Sequence, residues 1–355
     1  MFGTNMIRKP KNIKSGDTIG ITAPAFGAAI EPYSILIDIA EKKIKDRGYN
    51  IIEGKTARMG DGLGISTDPK VTGAELTEFY KRDDIDAIIS AGGGELMVET
   101  IANVDFDVIK NSEPKWFVGY SDNTSFLLPL VTIANTCGIY GPCISGYGKE
   151  WEGTENDAFA LLEGTKKIFS GYEKFVKPTE EKEEMDYSKP LFYKCDTKKI
   201  LTNFDCSSKK AEKTDGEVKM QGILLGGCID VLANMVGTRF DKVSEFAKTH
   251  EEGIIWVLEN CELNPMSYRR AIWNLKESGW FENASGFIIG RSNGCFDGDL
   301  MGVDKYNAVT DLLQELGVPM IFDADIGHID PMLPVIMGAE AKVSADTNNL
   351  KIEYM

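Results

Sequence analysis

Three residues of this chain could together turn a hydroxyl into a nucleophile. Ser121 lies in Gly119-Tyr120-Ser121-Asp122, after the apolar run Lys115-Trp116-Phe117-Val118 and before Asn123-Thr124-Ser125 and an apolar stretch at 126–131. A strand, a sharp turn and a helix in that order lift a serine hydroxyl clear of a sheet. The next backbone N–H and the helix N-terminus then offer positive potential to an oxyanion. The same residues would also serve as a plain Ser/Asp N-cap, and Asn123 stands where the second glycine of G-x-S-x-G belongs. Glu259 ends the apolar run 254–258, where a carboxylate at a strand's carboxyl end can orient an imidazole. Glu262 is its rival, and a surface or cap carboxylate is the plain alternative. The chain has 2 histidines. His328, in Asp325-Ile326-Gly327-His328-Ile329-Asp330-Pro331, is held in a loop between glycine and proline and is either a base or a buried structural imidazole. His250 sits in a polar stretch and is expected to be solvated. The order Ser…Glu…His is shared with α/β-hydrolases, although order alone is not diagnostic.

A second feature is Ala91-Gly92-Gly93-Gly94-Glu95, placed between a strand and a helix. Three glycines let backbone N–H groups approach a ligand closely. The loop could cradle a phosphate, complete an oxyanion hole beside Ser121, or simply turn tightly. It lacks the G-x-G-x-x-G spacing and the P-loop lysine.

These residues need a scaffold that gathers loop ends. The pattern predicts a strand within 15–25, a helix over 33–47 closed by Gly48, a strand at 49–52, a helix at 73–81 and strands at 85–90 and 115–118. Strands alternating with helices imply a parallel sheet with right-handed crossovers, and sites in such sheets lie beyond the strands' carboxyl ends. The loops at 22–27, 91–95 and 119–123 meet that condition. Residues 151–219 are rich in Lys, Glu, Ser and Thr and read as a polar linker or insert, exposed and covering. Order returns at 220: Gly222 to Gly227 leads into a helix at 229–236, followed by strands at 254–258 and 286–290, a helix at 308–316, a strand-like stretch at 319–323 and a closing hairpin from 341–343 and 350–352.

The chain has 355 residues, 43% apolar and 26% charged, which suits two soluble domains. A net charge of −16 argues against nucleic acid or an anionic membrane as partner. No secretory h-region or spanning apolar run is present, so a cytoplasmic protein is expected. The 7 cysteines are scattered without C-x-x-C spacing, in keeping with reduced thiols, and a His-rich metal site is excluded.

Four blocks together resemble the serine LD-carboxypeptidase family, which includes murein tetrapeptide carboxypeptidases and microcin C immunity peptidases. They are Gly16 to Pro24, Pro114 to Thr124, Leu258-Glu259-Asn260-Cys261-Glu262, and Gly327-His328-Ile329-Asp330-Pro331 with Pro334. Tyr140-Gly141-Pro142, Gly222 to Gly227 and Gly237-Thr238 add support. The resemblance implies an α/β enzyme whose N-terminal domain (1–150) is a parallel-sheet, Rossmann or flavodoxin-like unit carrying Ser121. A C-terminal mixed α/β domain (220–355) would carry Glu259 and His328, with the cleft between them. It also implies oxyanion N–H groups at Gly93 and Asp122, a homodimer, and no metal or organic cofactor. Murein enzymes of the family carry Arg-Gly-Gly-Tyr-Gly at the glycine loop, and this chain departs from that and is longer. Both departures lean toward the immunity branch, which hydrolyses the amide between a peptidyl or aminoacyl carboxyl and a nucleotide-like group. Tyr187, Phe192, Tyr193 and Phe204 are the aromatic candidates for contacting a base. The alternatives are murein recycling, or a non-catalytic α/β protein whose glycine loop holds an anion.

Overall fold

The computed structural model describes residues 7–178, 186, 189–192, 194–295 and 298–355. In chain order the first half forms β1 (Thr18–Thr22), α1 (Tyr33–Asp46), β2 (Asn50–Glu53), α2 (Pro69–Lys81), β3 (Ala87–Ser90), α3 (Met97–Ile101), α4 (Phe106–Asn111), β4 (Trp116–Gly119), α5 (Thr124–Thr132) and β5 (Gly138–Tyr140). Its strands lie in the parallel order β2-β1-β3-β4-β5, the flavodoxin-like arrangement. Every residue of β3 and β4 is buried, as expected where helices cover both faces of a parallel sheet.

The remainder adds α6 (Gly153–Glu163), β6 (Ile168–Ser170), β7 (Lys174–Phe175), β8 (Thr197–Lys198), β9 (Thr202–Asp205), β10 (Glu212–Thr214), β11 (Val218–Cys228), α7 (Ile229–Met235), α8 (Val243–Thr249), β12 (Ile254–Glu259), α9 (Pro265–Glu277), β13 (Ala284–Gly290), α10 (Asn307–Leu313), β14 (Met320–Ala324), β15 (Val335–Met337), β16 (Glu340–Ala345) and β17 (Leu350–Tyr354). Strands β11 to β14 are parallel neighbours. Antiparallel strands flank them, β9 and β10 on one side and β16, β17 and β6 on the other. Trp256, Trp280, Phe281 and Phe287 pack as one aromatic group beneath this sheet.

Two features differ from the sequence expectation. Residues 151–219 are not simply a covering linker. Helix α6 buries Ala158, Phe159, Leu161 and Leu162 against the first half, and β6 and β9 join the second sheet through buried Phe169, Asn203 and Phe204. Their alternating exposed lysines and glutamates mask a buried set of wide-spaced apolar residues, so composition alone reads as polar. The second half also crosses back, because β15 pairs antiparallel with β5 at the edge of the first sheet.

Helix α2 shows how local chemistry sets the frame. Asp68 caps it by accepting from the Lys70 N–H at 2.8 Å, and Pro69 opens it. At the other end the buried Lys115 ammonium donates to the carbonyls of Phe79 (3.0 Å), Tyr80 (2.8 Å) and Arg82. Lys115 immediately precedes β4, so this cap fixes the helix against the strand that delivers Ser121. Replacing it with methionine leaves those carbonyls without a donor. Lys115→Met is expected to lower unfolding free energy by about 2–3 kcal/mol, read as a lower urea midpoint at unchanged slope.

Candidate active site

Ser121 follows β4 after one residue, opens a single 3₁₀ turn and is followed by α5. Its φ is +62°, the left-handed region that a β-carbon disfavours. The turn keeps that conformation because its surroundings bind it tightly. Asn123 donates through Nδ2 to the Tyr120 carbonyl at 3.0 Å and to the Gly92 carbonyl at 2.9 Å. The residue that breaks the G-x-S-x-G pattern thus ties the serine turn to the glycine loop. Space for it exists because residue 119 is glycine, where a β-carbon would lie 2.7 Å from Asn123 Cγ.

The Ser121 Oγ lies 2.9 Å from His328 Nε2, and His328 Nδ1 lies 2.9 Å from Glu259 Oε2. Glu259 comes from the end of β12 and is fully buried, whereas His328 comes from the loop after β14. The Tyr140 hydroxyl at the end of β5 donates to the other Glu259 oxygen at 2.6 Å and accepts the Ser121 N–H at 3.2 Å. One phenol therefore joins the serine turn to the carboxylate behind the imidazole. Gly327 is needed beside them, since its φ is +100° and a β-carbon there would lie 2.5 Å from Glu259 Oε2.

Burial opposes charge on both partners, and their mutual attraction overrules it. Burial alone would push the His328 pKa down. The Glu259 carboxylate, aided by the Cys261 thiol, holds it above the ordinary imidazole value. Burial would likewise raise Glu259, but His328, Tyr140 and Cys228 hold it below the usual carboxylate range. Asp122 is different. Burial pushes it up to about 6, against the Met97 N–H that donates to it at 2.8 Å.

The loop carrying His328 has its own anchor. Asp325 is fully buried and pairs with Arg291 and with Lys199 Nζ at 2.8 Å. The Arg291 Nη2 donates to the carbonyls of Ile329 and Pro331, each at 3.1 Å, and so brackets His328. Arg291 itself is only 2% exposed.

The glycine loop lies against the serine: a β-carbon on Gly93 would be 3.2 Å from Ser121 Cβ. Ser121, Gly92, Gly93, Gly94, Tyr120 and His328 line a cavity of about 430 Å³, with Phe26, Ile30 and Tyr33 along its wall. A neighbouring hollow of about 230 Å³ shares Tyr33, Tyr120, Cys143 and Ser145 and extends to Lys149 and Asp330.

Of the residues singled out from sequence, Ser121, Glu259, His328, Gly93 and Asp122 converge here. Glu262 does not join them; it is exposed, and its N–H donates to Asp230 at 2.9 Å. His250 is not solvated. It is 8% exposed, stacks on Phe246 and donates from Nδ1 to the Phe246 carbonyl at 2.8 Å. Phe204 packs against Phe322 and Tyr306 in the second core, which removes it as a base contact, and Phe192 is exposed. Tyr187 and Tyr193 lie outside the described residues. Tyr140, Asn123 and Arg291 were missed as parts of the site. Their signal was only placement next to a strand end or turn.

The model of the LD-carboxypeptidase N-terminal domain matches residues 19–141, and that of the LD-carboxypeptidase C-terminal domain matches residues 221–343. The microcin C7 self-immunity protein MccF of Escherichia coli is 26% identical over 347 residues, covering 95% of this chain and 93% of the relative. A Bacillus subtilis (strain 168) protein named "Probable murein peptide carboxypeptidase" is 24% identical, covering 97% of this chain and 94% of its own. The solved structure of MccF in complex with aspartyl sulfamoyl adenosine superposes with a TM-score of 0.77 at 21% identity, over 98% of both chains.

Two variants probe the geometry. In the Glu259→Gln variant the imidazole loses the charge that raises its pKa. Because the neutral imidazole is the form able to take a proton, the acidic limb of kcat/KM is expected to move to lower pH, while the plateau falls about a thousandfold. The Tyr140→Phe variant removes the bridge, and kcat is expected to fall about 10- to 100-fold, on the order of one lost hydrogen bond to a charge. Both are read from steady-state pH profiles.

Proposed function

Because this chain belongs to the LD-carboxypeptidase family and is a hydrolase of that kind, we propose that it cleaves an amide bond through a Ser121–His328–Glu259 triad and an acyl-enzyme. The carrying observation is the unbroken chain of contacts Ser121 Oγ, His328 Nε2, His328 Nδ1 and Glu259 Oε2, with 2.9 Å at both links. His328 Nε2 takes the hydroxyl proton as Oγ attacks the carbonyl carbon. The same nitrogen returns it to the departing amine. Water then enters by the same route, its proton passing to His328 as its oxygen attacks the acyl carbon, and Ser121 is regenerated. Glu259 holds the tautomer with the proton on Nδ1 and stabilises the imidazolium. The N–H groups of Gly93 and Asp122 receive the oxyanion, a role supported by the contact of Gly93 with Ser121.

For the substrate, we place the enzyme with the immunity-type branch, acting on peptidyl or aminoacyl nucleotides. Support comes from the glycine loop, which lacks the murein-type Arg and Tyr, and from the cavity wall of Phe26, Tyr33 and Tyr120, whose ring faces suit a nucleobase. The MccF structure with aspartyl sulfamoyl adenosine gives a precedent for such a ligand on this fold. Murein tetrapeptide is the second reading, supported by the Bacillus subtilis relative. A cytoplasmic homodimer without bound cofactor belongs to the same proposal. Among the described residues no helix is long and apolar enough to cross a membrane.

The purified protein is expected to hydrolyse aspartyl or glutamyl sulfamoyl adenosine and to leave murein tetrapeptide intact. The reverse result would move it to cell-wall peptide recycling. The Ser121→Ala variant is expected to lose at least about a thousandfold in kcat at unchanged thermal stability, and full activity in that variant would remove Ser121 as the nucleophile.

A further inference from the structure

The two proposed oxyanion donors lie on different segments, Asp122 on the serine turn and Gly93 on the glycine loop. Their spacing depends on how that loop is fixed. Asn123 Nδ2 donates to the Gly92 carbonyl at 2.9 Å, and the Phe26 N–H donates to the Gly93 carbonyl at 2.8 Å. A further bond comes from the Asp122 side chain, whose Oδ2 accepts the Met97 N–H at 2.8 Å where the loop enters α3. Asn123 and Asp122 are neighbours on the serine turn. That turn therefore grips the glycine loop at both ends, with Gly93 between them.

Stability alone does not call for an acid at this place. Asp122 is 1% exposed, its Oδ1 lies 3.4 Å from the Ser125 hydroxyl, and no cationic side chain pairs with it among the described residues. Burial raises its pKa, and Glu95, of like charge, adds to that against the Met97 and Ser125 donors. A buried carboxylate without a cation weakens a fold. What it supplies is an acceptor. Leu96, the N-cap of α3, has no side-chain oxygen for the first-turn N–H groups. Asp122 provides one from 25 residues away and so ties the end of the loop to the turn that bears the nucleophile. Gly94 lies against the same oxygen: a β-carbon there would be 3.3 Å from Asp122 Oδ2 and 3.2 Å from the Phe26 nitrogen. We infer that the Asp122 carboxylate is a positioning residue for amide hydrolysis. It sets the glycine loop where the Gly93 and Asp122 N–H groups reach one oxygen, and it acts through the backbone of residues 93–97 rather than on the reacting atoms. This rests on the assignment of Ser121 as nucleophile. Loss of the acceptor frees one end of the loop, and donors displaced by about 1 Å lose on the order of 100-fold in rate.

The test is the labelling of Ser121 in the full chain by a fluorophosphonate, whose phosphoryl oxygen takes the oxyanion position whatever the natural substrate is. The readouts are the maximal labelling rate, the half-saturating probe concentration and the melting temperature. In Asp122→Ala the maximal rate is expected to fall about 100-fold at an unchanged half-saturating concentration. Asp122→Asn keeps an oxygen opposite the Met97 N–H and is expected to recover about tenfold of that loss. A role confined to stability would lower the melting temperature without that split or that recovery. Gly94→Ala presses on the same oxygen from the loop side and is expected to slow the maximal rate as well. A wild-type rate in Asp122→Ala, or in Gly94→Ala where the former does not fold, overturns the inference and leaves the triad standing. Labelling of Asp122→Asn as slow as that of Asp122→Ala overturns it too. Absence of Ser121-dependent labelling in the wild type removes the nucleophile itself, and the inference with it.

Discussion

A fully buried carboxylate is the constraint on which this site depends. Glu259 has no exposure, and an ionised carboxylate removed from water must be compensated by charge and hydrogen bonds. Its two oxygens are met from opposite halves of the molecule, one by Tyr140 at the end of the first sheet and one by His328 in the loop after β14. Satisfying that charge therefore closes the two sheets on each other and sets the imidazole at the distance needed to reach Ser121. The same tyrosine receives the Ser121 N–H, so the serine turn and the carboxylate behind the imidazole are held by one phenol.

The loop bearing His328 would be a poor platform without support. A second buried ionic group provides it: Asp325 is locked between Arg291 from just beyond β13 and Lys199 from the segment between β8 and β9. Lys199 lies in the stretch that composition marks as polar and exposed. Its ammonium is nonetheless as buried as the core around it. The 151–219 region thus reaches the His328 loop from behind, and part of its lysine content is structural. Thr124, in the helix after the serine turn, accepts the Cys228 N–H at 3.0 Å and adds another bond between the halves.

The serine turn shows how a local rule can be broken and still served. The second glycine of the usual elbow gives room for close helix–strand packing. Here Asn123 occupies that position, and the room comes from Gly119 before the turn. In exchange the amide bonds the glycine loop at Gly92, which brings Gly93 against Ser121. The left-handed φ of Ser121 is paid for by these bonds around it.

Much of this was legible in the sequence. The alternation of apolar runs with amphipathic stretches determined a parallel α/β order, because helices and strands bury residues at different periods. The scarcity of histidine narrowed the base to two residues, and the Gly-Tyr-Ser-Asp and Gly-His blocks marked the turn and the loop. What tertiary structure decided was which distant groups share one oxygen atom or one carbonyl. That Tyr140 bridges Ser121 and Glu259, that Arg291 brackets His328, that His250 is buried and that β15 crosses to the first sheet all depend on contacts between residues far apart in the chain. Local propensity carries no record of those pairings, because they are chosen by burial of charge and closure of sheet edges in the folded whole.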